Sequence, residues 1–294
     1  MKRYLIVWAI ICVLLNVTGN LMAQEMVQIK GSDTLINLVQ KLTEVYMEQN
    51  PGELFAITGG GSGTGIAALI NKKCDIANAS RLMKAKEVAR AAEKGVQAKR
   101  VVIAMDGLSV ITNGGNLVDK LTLDKIGKIF RGEITNWKDV GGTDMPITLY
   151  GRQSNSGTFV FFRDAVLKGD YSQKMRRMNG NAQIVEAVKE DISGIGYVGV
   201  GYVKGAAGIE LNVLKVAARA GADYASPLNA SEVKSGKYPI SRPLNQYLNG
   251  SPTGMVKDFI AFELSEQGQE IIEQEGFFPI PDAYIEFNTN SVGI

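Results

Sequence analysis

Short apolar runs alternate with amphipathic stretches along most of this chain, and that alternation constrains the fold more than any other feature. Apolar runs at residues 27–30, 54–58 and 100–105 indicate strands, and stretches with helical spacing of apolar residues lie between them. This order predicts an α/β protein. The chain has 294 residues, which is long for a single α/β unit, so we expect two lobes.

The N-terminal residues predict a secretory signal that is absent from the mature protein. Lys2 and Arg3 precede an apolar run of 12 residues at 4–15, whereas a membrane-spanning helix needs about 20 apolar residues. We therefore predict a cleavable signal peptide over residues 1–23 and a periplasmic or secreted location; a membrane anchor is the alternative. Cleavage leaves 30 basic and 30 acidic side chains, and such a neutral chain is a poor candidate for binding nucleic acid.

The absence of histidine excludes several kinds of catalytic and metal site. Ser-His-Asp and Cys-His catalysis and His-ligated zinc all require it. Cys12 and Cys74 are too few for a Cys₄ zinc site, and only Cys74 remains after signal cleavage. The carboxylates are scattered, and no pair has a spacing that assigns acid and base roles. We therefore expect a protein that is not an enzyme and needs no metal and no cofactor.

Three turns rich in glycine and hydroxyl side chains each precede a helical stretch. They are GSDT at 31–34, GGGSGTG at 59–65 and GRQSNSGT at 151–158. The first turn of a helix leaves N–H donors without partners and carries partial positive charge, so it can bind an anion. Ser32, Ser62 and Ser156 could instead be ordinary N-caps. Two arginines, Arg81 and Arg152, favour the anion site, although the second turn lacks the lysine of a P-loop.

Five longer segments match the pattern of one known family in the same order along the chain. They are LTLDKIGKIFRGEITNWKDVGG (121–142), GRQSNSGT (151–158), GIGYVGVGYV (194–203), YPISRPL (238–244) and FIAFELSEQGQEIIEQEGFFPI (259–280). Together they resemble the phosphate-binding proteins of ABC-type phosphate transporters, the PstS-like branch of the class II periplasmic binding proteins. The resemblance implies a two-lobe α/β fold, each lobe a mixed sheet flanked by helices, with the ligand in the cleft between the lobes. It implies one lobe of residues 24–104 plus 203–294 and a second of residues 105–202.

The resemblance also implies which residues bind the anion. Those in the three anion loops are Ser32, Thr34 and Leu35, then Ser62 and Gly63, then Arg152, Ser156, Gly157 and Thr158. The loop after Asp75 departs from the best-known members, which often hold there an aspartate that accepts the proton of phosphate. This chain has Ser80 and Arg81 at that place, and we expect both to contact the ligand. The candidates for the missing acceptor are, in order, Asp33, Asp106 and Asp75.

The implied function is that of an extracytoplasmic protein that captures inorganic phosphate and delivers it to the permease subunits of an ABC transporter. We expect a monomer. One alternative is a binding protein for sulfate, molybdate or tungstate, and another is a subunit that reports the anion to a membrane kinase. A phosphate-ester hydrolase is disfavoured because the sequence has no histidine, no metal-ligand cluster and no activated nucleophile.

Overall fold

The computed structural model describes residues 26–204, 207–208 and 210–294, so the predicted signal peptide lies outside the described residues. The elements follow in the order β1 (Met26–Gly31), α1 (Ile36–Gln49), β2 (Leu54–Thr58), α2 (Ser62–Ile70), β3 (Ile76–Ala79), α3 (Ala85–Glu93), β4 (Ala98–Gly107), β5 (Ser109–Asn113), β6 (Lys120–Thr122), α4 (Leu123–Arg131), β7 (Thr148–Arg152), α5 (Gly157–Phe162), β8 (Arg176–Met178), α6 (Asn181–Glu190), β9 (Gly194–Val198), β10 (Leu211–Val213), β11 (Lys215–Ala217), α7 (Ala230–Lys234), β12 (Ser241–Asn249), α8 (Gly254–Leu264), α9 (Glu266–Gln274) and α10 (Asp282–Val292). None of these helices combines the length and the apolar character needed to cross a membrane.

Two five-stranded mixed sheets organise the chain. In the first, the strand order is β2-β1-β3-β12-β4, with β1 parallel to β2 and β3, and β12 antiparallel to both of its neighbours. In the second, the order is β10-β5-β9-β7-β8, with β7 parallel to β8 and β9, and β5 antiparallel to β9 and β10. The expected α/β fold with two mixed sheets flanked by helices is confirmed.

The helices form where the apolar spacing predicts them, and α4 illustrates why. Ile126, Ile129 and Phe130 lie on one face and are fully buried. The Thr122 side chain accepts a hydrogen bond from the Lys125 backbone N–H at 3.3 Å, which caps the helix as its position before the apolar run predicts. Phe130 on this face meets Tyr197 of β9 with ring centroids 5.4 Å apart, so the buried face packs α4 against the second sheet.

The spacing of glycine and apolar residues also predicts a strand at residues 196–203 and a helix at residues 157–166, and both differ in extent from the observed elements. The glycine-spaced strand expected at residues 196–203 ends at Val198 and continues as a 3₁₀ turn, Val200–Tyr202. The reason is that the Val200 N–H donates to the Asp106 carboxylate at 2.8 Å instead of to a neighbouring strand. The helix expected at 157–166 ends at Phe162 and continues as a π turn over Arg163–Leu167.

Strand pairing divides the chain into two lobes. Strands within residues 26–107 and the strand at 241–249 form the first sheet. The strands within residues 109–213 other than β6 form the second, and β6 pairs with β11 in a separate two-stranded sheet. Beyond the predicted return to the first lobe at residue 203, β10 still pairs with β5 of the second sheet, and β11 pairs with β6. The exact boundaries of the two lobes stay a prediction.

Candidate functional site

Five buried hydroxyl side chains converge where the two lobes meet. Ser32 Oγ donates to Ser80 Oγ at 3.0 Å, and Thr34 Oγ1 lies 2.9 Å from Thr158 Oγ1. Ser80 Oγ is also 3.4 Å from both Ser62 Oγ and Thr158 Oγ1. Each of the five residues is at most 3% exposed. We call this group the hydroxyl cluster; it joins residues of the first lobe to Thr158 of the second.

The parallel strands explain why these residues meet. The carboxyl ends of β1, β2 and β3 lie at one edge of the first sheet, and each runs into a turn there. Gly31, at the end of β1, has φ +138° and lies so close to β3 that an added Cβ would be 2.2 Å from the Asn78 carbonyl oxygen. This close approach lets the Ser32 N–H donate to the same oxygen at 2.9 Å, which sets Ser32 beside Ser80.

The third turn brings the second lobe against this edge. Gly157 begins α5, and a Cβ at this position would lie 2.1 Å from Ser62 Oγ. Only glycine therefore allows the helix to approach so closely. The N-cap interpretation holds for Ser156, whose Oγ accepts from the Phe159 N–H at 3.3 Å, but α2 has Gly61 at its N-cap and Ser62 inside its first turn.

Two predicted backbone donors are hydrogen-bonded within the protein. The Leu35 N–H donates to the Ser32 carbonyl at 3.1 Å, and the Gly63 N–H donates across the lobe interface to the Asn155 carbonyl at 3.0 Å. Asn155 Nδ2 also donates to the Gly60 carbonyl at 2.8 Å. The second and third turns therefore contact each other directly.

Arg152 lies at the end of β7, is 1% exposed and is linked to the hydroxyl cluster through Asp33, the residue between Ser32 and Thr34. Its Nη2 forms an ion pair with Asp33 of the first lobe and donates to the Asn179 carbonyl at 2.8 Å. Its Nε and Nη1 are buried and have no hydrogen-bond partner within the described residues. A buried guanidinium with two unused donors is suited to an anion, because leaving such donors unpaired is costly.

Arg242 on β12 is a site residue that reasoning from the sequence missed. It is 2% exposed, and its Nε and Nη2 donate to Asp106 Oδ2 at 2.9 and 2.8 Å. Nη2 also donates to Thr158 Oγ1 at 3.1 Å, which places the guanidinium in the hydroxyl cluster. Burial lowers the pKa of Arg242, the paired carboxylate of Asp106 raises it in part, and the charge of Arg152 lowers it again, so the pKa lies below its ordinary value. The group stays protonated near neutral pH because arginine begins from so high a value.

The three candidate proton acceptors lie in different places. Asp33 accepts from the Gly60 N–H at 2.7 Å and pairs with Arg152, and fully buried Asp106 pairs with Arg242. Both are therefore at the cluster. Asp75 precedes β3 at the opposite edge of the sheet, is exposed and accepts from the Gln28 N–H at 2.7 Å. Its position therefore gives no support to Asp75 as an acceptor at the cluster.

Arg81 follows Ser80 in sequence, but the structure does not bring its guanidinium into the cluster. Nη1 and Nη2 donate to the two carboxylate oxygens of Glu87 at 2.7 and 2.8 Å. Burial raises the pKa of Glu87, but the hydrogen bonds from Arg81 and from the Lys84 N–H outweigh it, so that pKa lies below its ordinary value. Arg81 therefore serves the start of α3 in this structure.

The arrangement is suited to binding an anion. The five hydroxyls and the guanidiniums of Arg152 and Arg242 supply the hydrogen-bond donors. Within the described residues, no cluster of His, Cys, Asp or Glu side chains could hold a metal ion.

Comparisons with known proteins identify the family. Residues 17–267 match the PBP superfamily domain. The phosphate-binding protein PstS of Borreliella burgdorferi is 32% identical to this chain, and the match covers 87% of this chain and 91% of that protein. The phosphate-binding protein PstS of Pseudomonas aeruginosa is 29% identical, and the match covers 95% of this chain and 88% of that protein. A solved phosphate ABC transporter substrate-binding protein with bound phosphate, from Clostridium perfringens, has TM-score 0.77 at 30% identity and covers 87% of this chain and 100% of that one. The chain therefore belongs to the PBP superfamily and, within it, to the PstS-like family.

Proposed function

We propose that this protein binds inorganic phosphate at the hydroxyl cluster, outside the cytoplasm, and delivers it to the permease of an ABC transporter. It acts by binding and release and catalyses no reaction. The names of its relatives and the phosphate in the related structure support this proposal. The observation that carries it is the buried Arg152, whose Nε and Nη1 lack partners beside the cluster.

Phosphate binding at this point requires the lobes to separate slightly. The two lobes touch directly through Thr34 and Thr158 at 2.9 Å and through Arg242 and Thr158 at 3.1 Å. An anion that enters between them replaces these contacts with hydrogen bonds to its own oxygens. The lobes then close on the ligand, and the permease can recognise the closed form because phosphate stabilises it.

The available donors are sufficient for tight binding. A dissociation constant of one micromolar corresponds to about 8 kcal/mol. A hydrogen bond to a charged group contributes about 1.5–3 kcal/mol net. The two free donors of Arg152 and three or four hydroxyls can therefore reach this value after the costs of association.

Discrimination against sulfate needs a group that accepts the proton of phosphate. Asp33 and Asp106 both lie at the cluster, and each carboxylate oxygen can accept more than one hydrogen bond. We keep Asp33 as the first candidate, because its side chain is 15% exposed whereas Asp106 is fully buried against Arg242.

The proposal is tested by equilibrium dialysis of the purified protein, freed of bound anion, against labelled phosphate with sulfate as competitor. We expect one phosphate per chain that excess sulfate does not displace. Equal displacement by sulfate, molybdate or tungstate would favour a general oxyanion binder. No retained phosphate would contradict the proposal. Release of phosphate from an ester by the purified protein would contradict the non-enzymatic assignment.

A further inference from the structure

A cavity of about 550 Å³ opens between the lobes directly beside the hydroxyl cluster. It shares Ser80 and Arg242 with the cluster, so the two spaces adjoin each other at these residues. Its volume is typical of sites for small organic molecules, which measure about 300–1,000 Å³. Most of its lining is apolar, including Leu82, Met83, Val160, Phe161, Pro243 and Tyr284. Inorganic phosphate alone would use none of these apolar side chains.

The charged groups that line the cavity leave it positive. Lys84 and Arg100 form no ion pair with any described residue, and Arg100 lies over the Phe287 ring at 4.2 Å. The acidic residue of the lining, Asp164, is paired with Arg163 at 2.7 Å. The cavity therefore favours an anionic group at a distance from the phosphate itself.

Three buried polar atoms of the lining also lack partners within the described part of the chain, and one of them is Arg100 Nε. Arg81 Nε is a donor on a side chain that is 7% exposed, and Asn245 Oδ1 is an acceptor on a residue that is 1% exposed. The Asn245 amide is fixed in this orientation, because its Nδ2 donates to the Ala79 and Pro243 carbonyls. A matching ligand would carry an anionic oxygen for Arg81 and a hydroxyl that donates to Asn245.

We propose that this cavity binds the organic part of a phosphate monoester that carries a carboxylate and a hydroxyl, while the phosphoryl group occupies the hydroxyl cluster. The inference rests on the proposed function, since it uses the same phosphate site. An ester oxygen that faces Ser80 and Arg242 points its substituent at the cavity. Arg100 and Lys84 then contact the carboxylate, and the apolar walls pack against the short carbon chain.

The test is a calorimetric titration with inorganic phosphate, 3-phosphoglycerate and glycerol 3-phosphate. The two esters have the same length, but 3-phosphoglycerate ends in a carboxylate where glycerol 3-phosphate ends in a hydroxymethyl group. We expect 3-phosphoglycerate to bind about tenfold or more tightly than glycerol 3-phosphate, the value of one charge-assisted hydrogen bond. Arg100→Gln should remove most of that difference and leave phosphate binding unchanged. Arg90→Gln, the same change on an exposed part of α3 outside the cavity, should alter neither.

The outcomes separate this inference from the proposed function. Tight phosphate binding with no binding of either ester would overturn the inference and leave the proposed function intact. Equal binding of the two esters, or a preference that Arg100→Gln does not reduce, would also overturn it. Failure of phosphate itself to bind would overturn the proposed function.

Discussion

Replacing Gly157 by alanine tests the close approach of the two lobes. Its φ lies outside the left-handed region, so alanine can adopt its backbone conformation, and alanine is the better helix former at the start of α5. The added Cβ would lie 2.1 Å from Ser62 Oγ and 2.7 Å from Ser80 Oγ. The substitution therefore places one methyl group where the hydroxyls of the first lobe meet the second.

The size of the effect follows from the distances. Ordinary contact of a Cβ begins at about 3.4 Å, so the Ser62 hydroxyl must withdraw by roughly 1.3 Å. Rotating the hydroxyl is not enough, because Ser62 Cβ itself would be 2.8 Å away. Overpacking of this kind costs about 1–3 kcal/mol, which corresponds to a loss of phosphate affinity of about 5- to 150-fold.

Calorimetric titration with phosphate measures this loss, and thermal unfolding of the ligand-free protein checks the fold. Gly180→Ala is the matched control, since Gly180 precedes α6 and no atom lies within 4 Å of its added Cβ. We expect Gly180→Ala to bind phosphate like the unmodified protein. If Gly157→Ala also bound phosphate with unchanged affinity, the close approach of Gly157 to Ser62 would not persist in the phosphate-bound state and the reasoning would be refuted.

Three further substitutions test the charges. Arg152→Gln should weaken phosphate binding about 10- to 100-fold in a dialysis assay, because it removes a buried charged donor; unchanged affinity would exclude the third turn from the site. Asp33→Asn should bring the affinities for sulfate and phosphate closer together in competition experiments, and an unchanged ratio would transfer the acceptor role to Asp106. Burial raises the pKa of Glu263 well above its ordinary value in the folded protein. The stability that the protonated side chain contributes is therefore fully present below the pKa of the unfolded state, and it falls as the pH rises towards the pKa of the folded state. Glu263→Gln should therefore reduce the fall in the free energy of unfolding between pH 5 and pH 8, by up to about 1.4 kcal/mol per pH unit. Denaturant unfolding at each pH measures this, and identical pH profiles of the two proteins would contradict it.

The three turns were predictable because their signals are local. A strand end, a glycine and a hydroxyl lie within a few residues of each other, and the helix that follows has clear apolar spacing. The structure brings Ser32, Ser62 and Thr158 from the three turns together. Their roles as ligands of phosphate remain predictions.

The parts of the site that the sequence did not reveal depend on distant residues. Arg242 reaches Ser80 because β12 inserts between β3 and β4, and the two residues are 162 positions apart. A single arginine in a strand gives no local sign of this. The expectation for Arg81 as a ligand contact does not match its position, because Glu87 at the start of α3 takes its guanidinium. That competition between a capping pair and a ligand can be seen only in three dimensions.

The location of the bound anion is the most direct test of the whole account. A crystal structure of the protein, from crystals grown with phosphate and without sulfate, shows where the anion binds. We predict one tetrahedral anion between Ser80 and Thr158, with Arg152 Nε or Nη1 donating to it and the direct contact between Thr34 and Thr158 lengthened. An anion bound only in the cavity beside Arg100, or a hydroxyl cluster that stays closed and empty at saturating phosphate, would contradict the account.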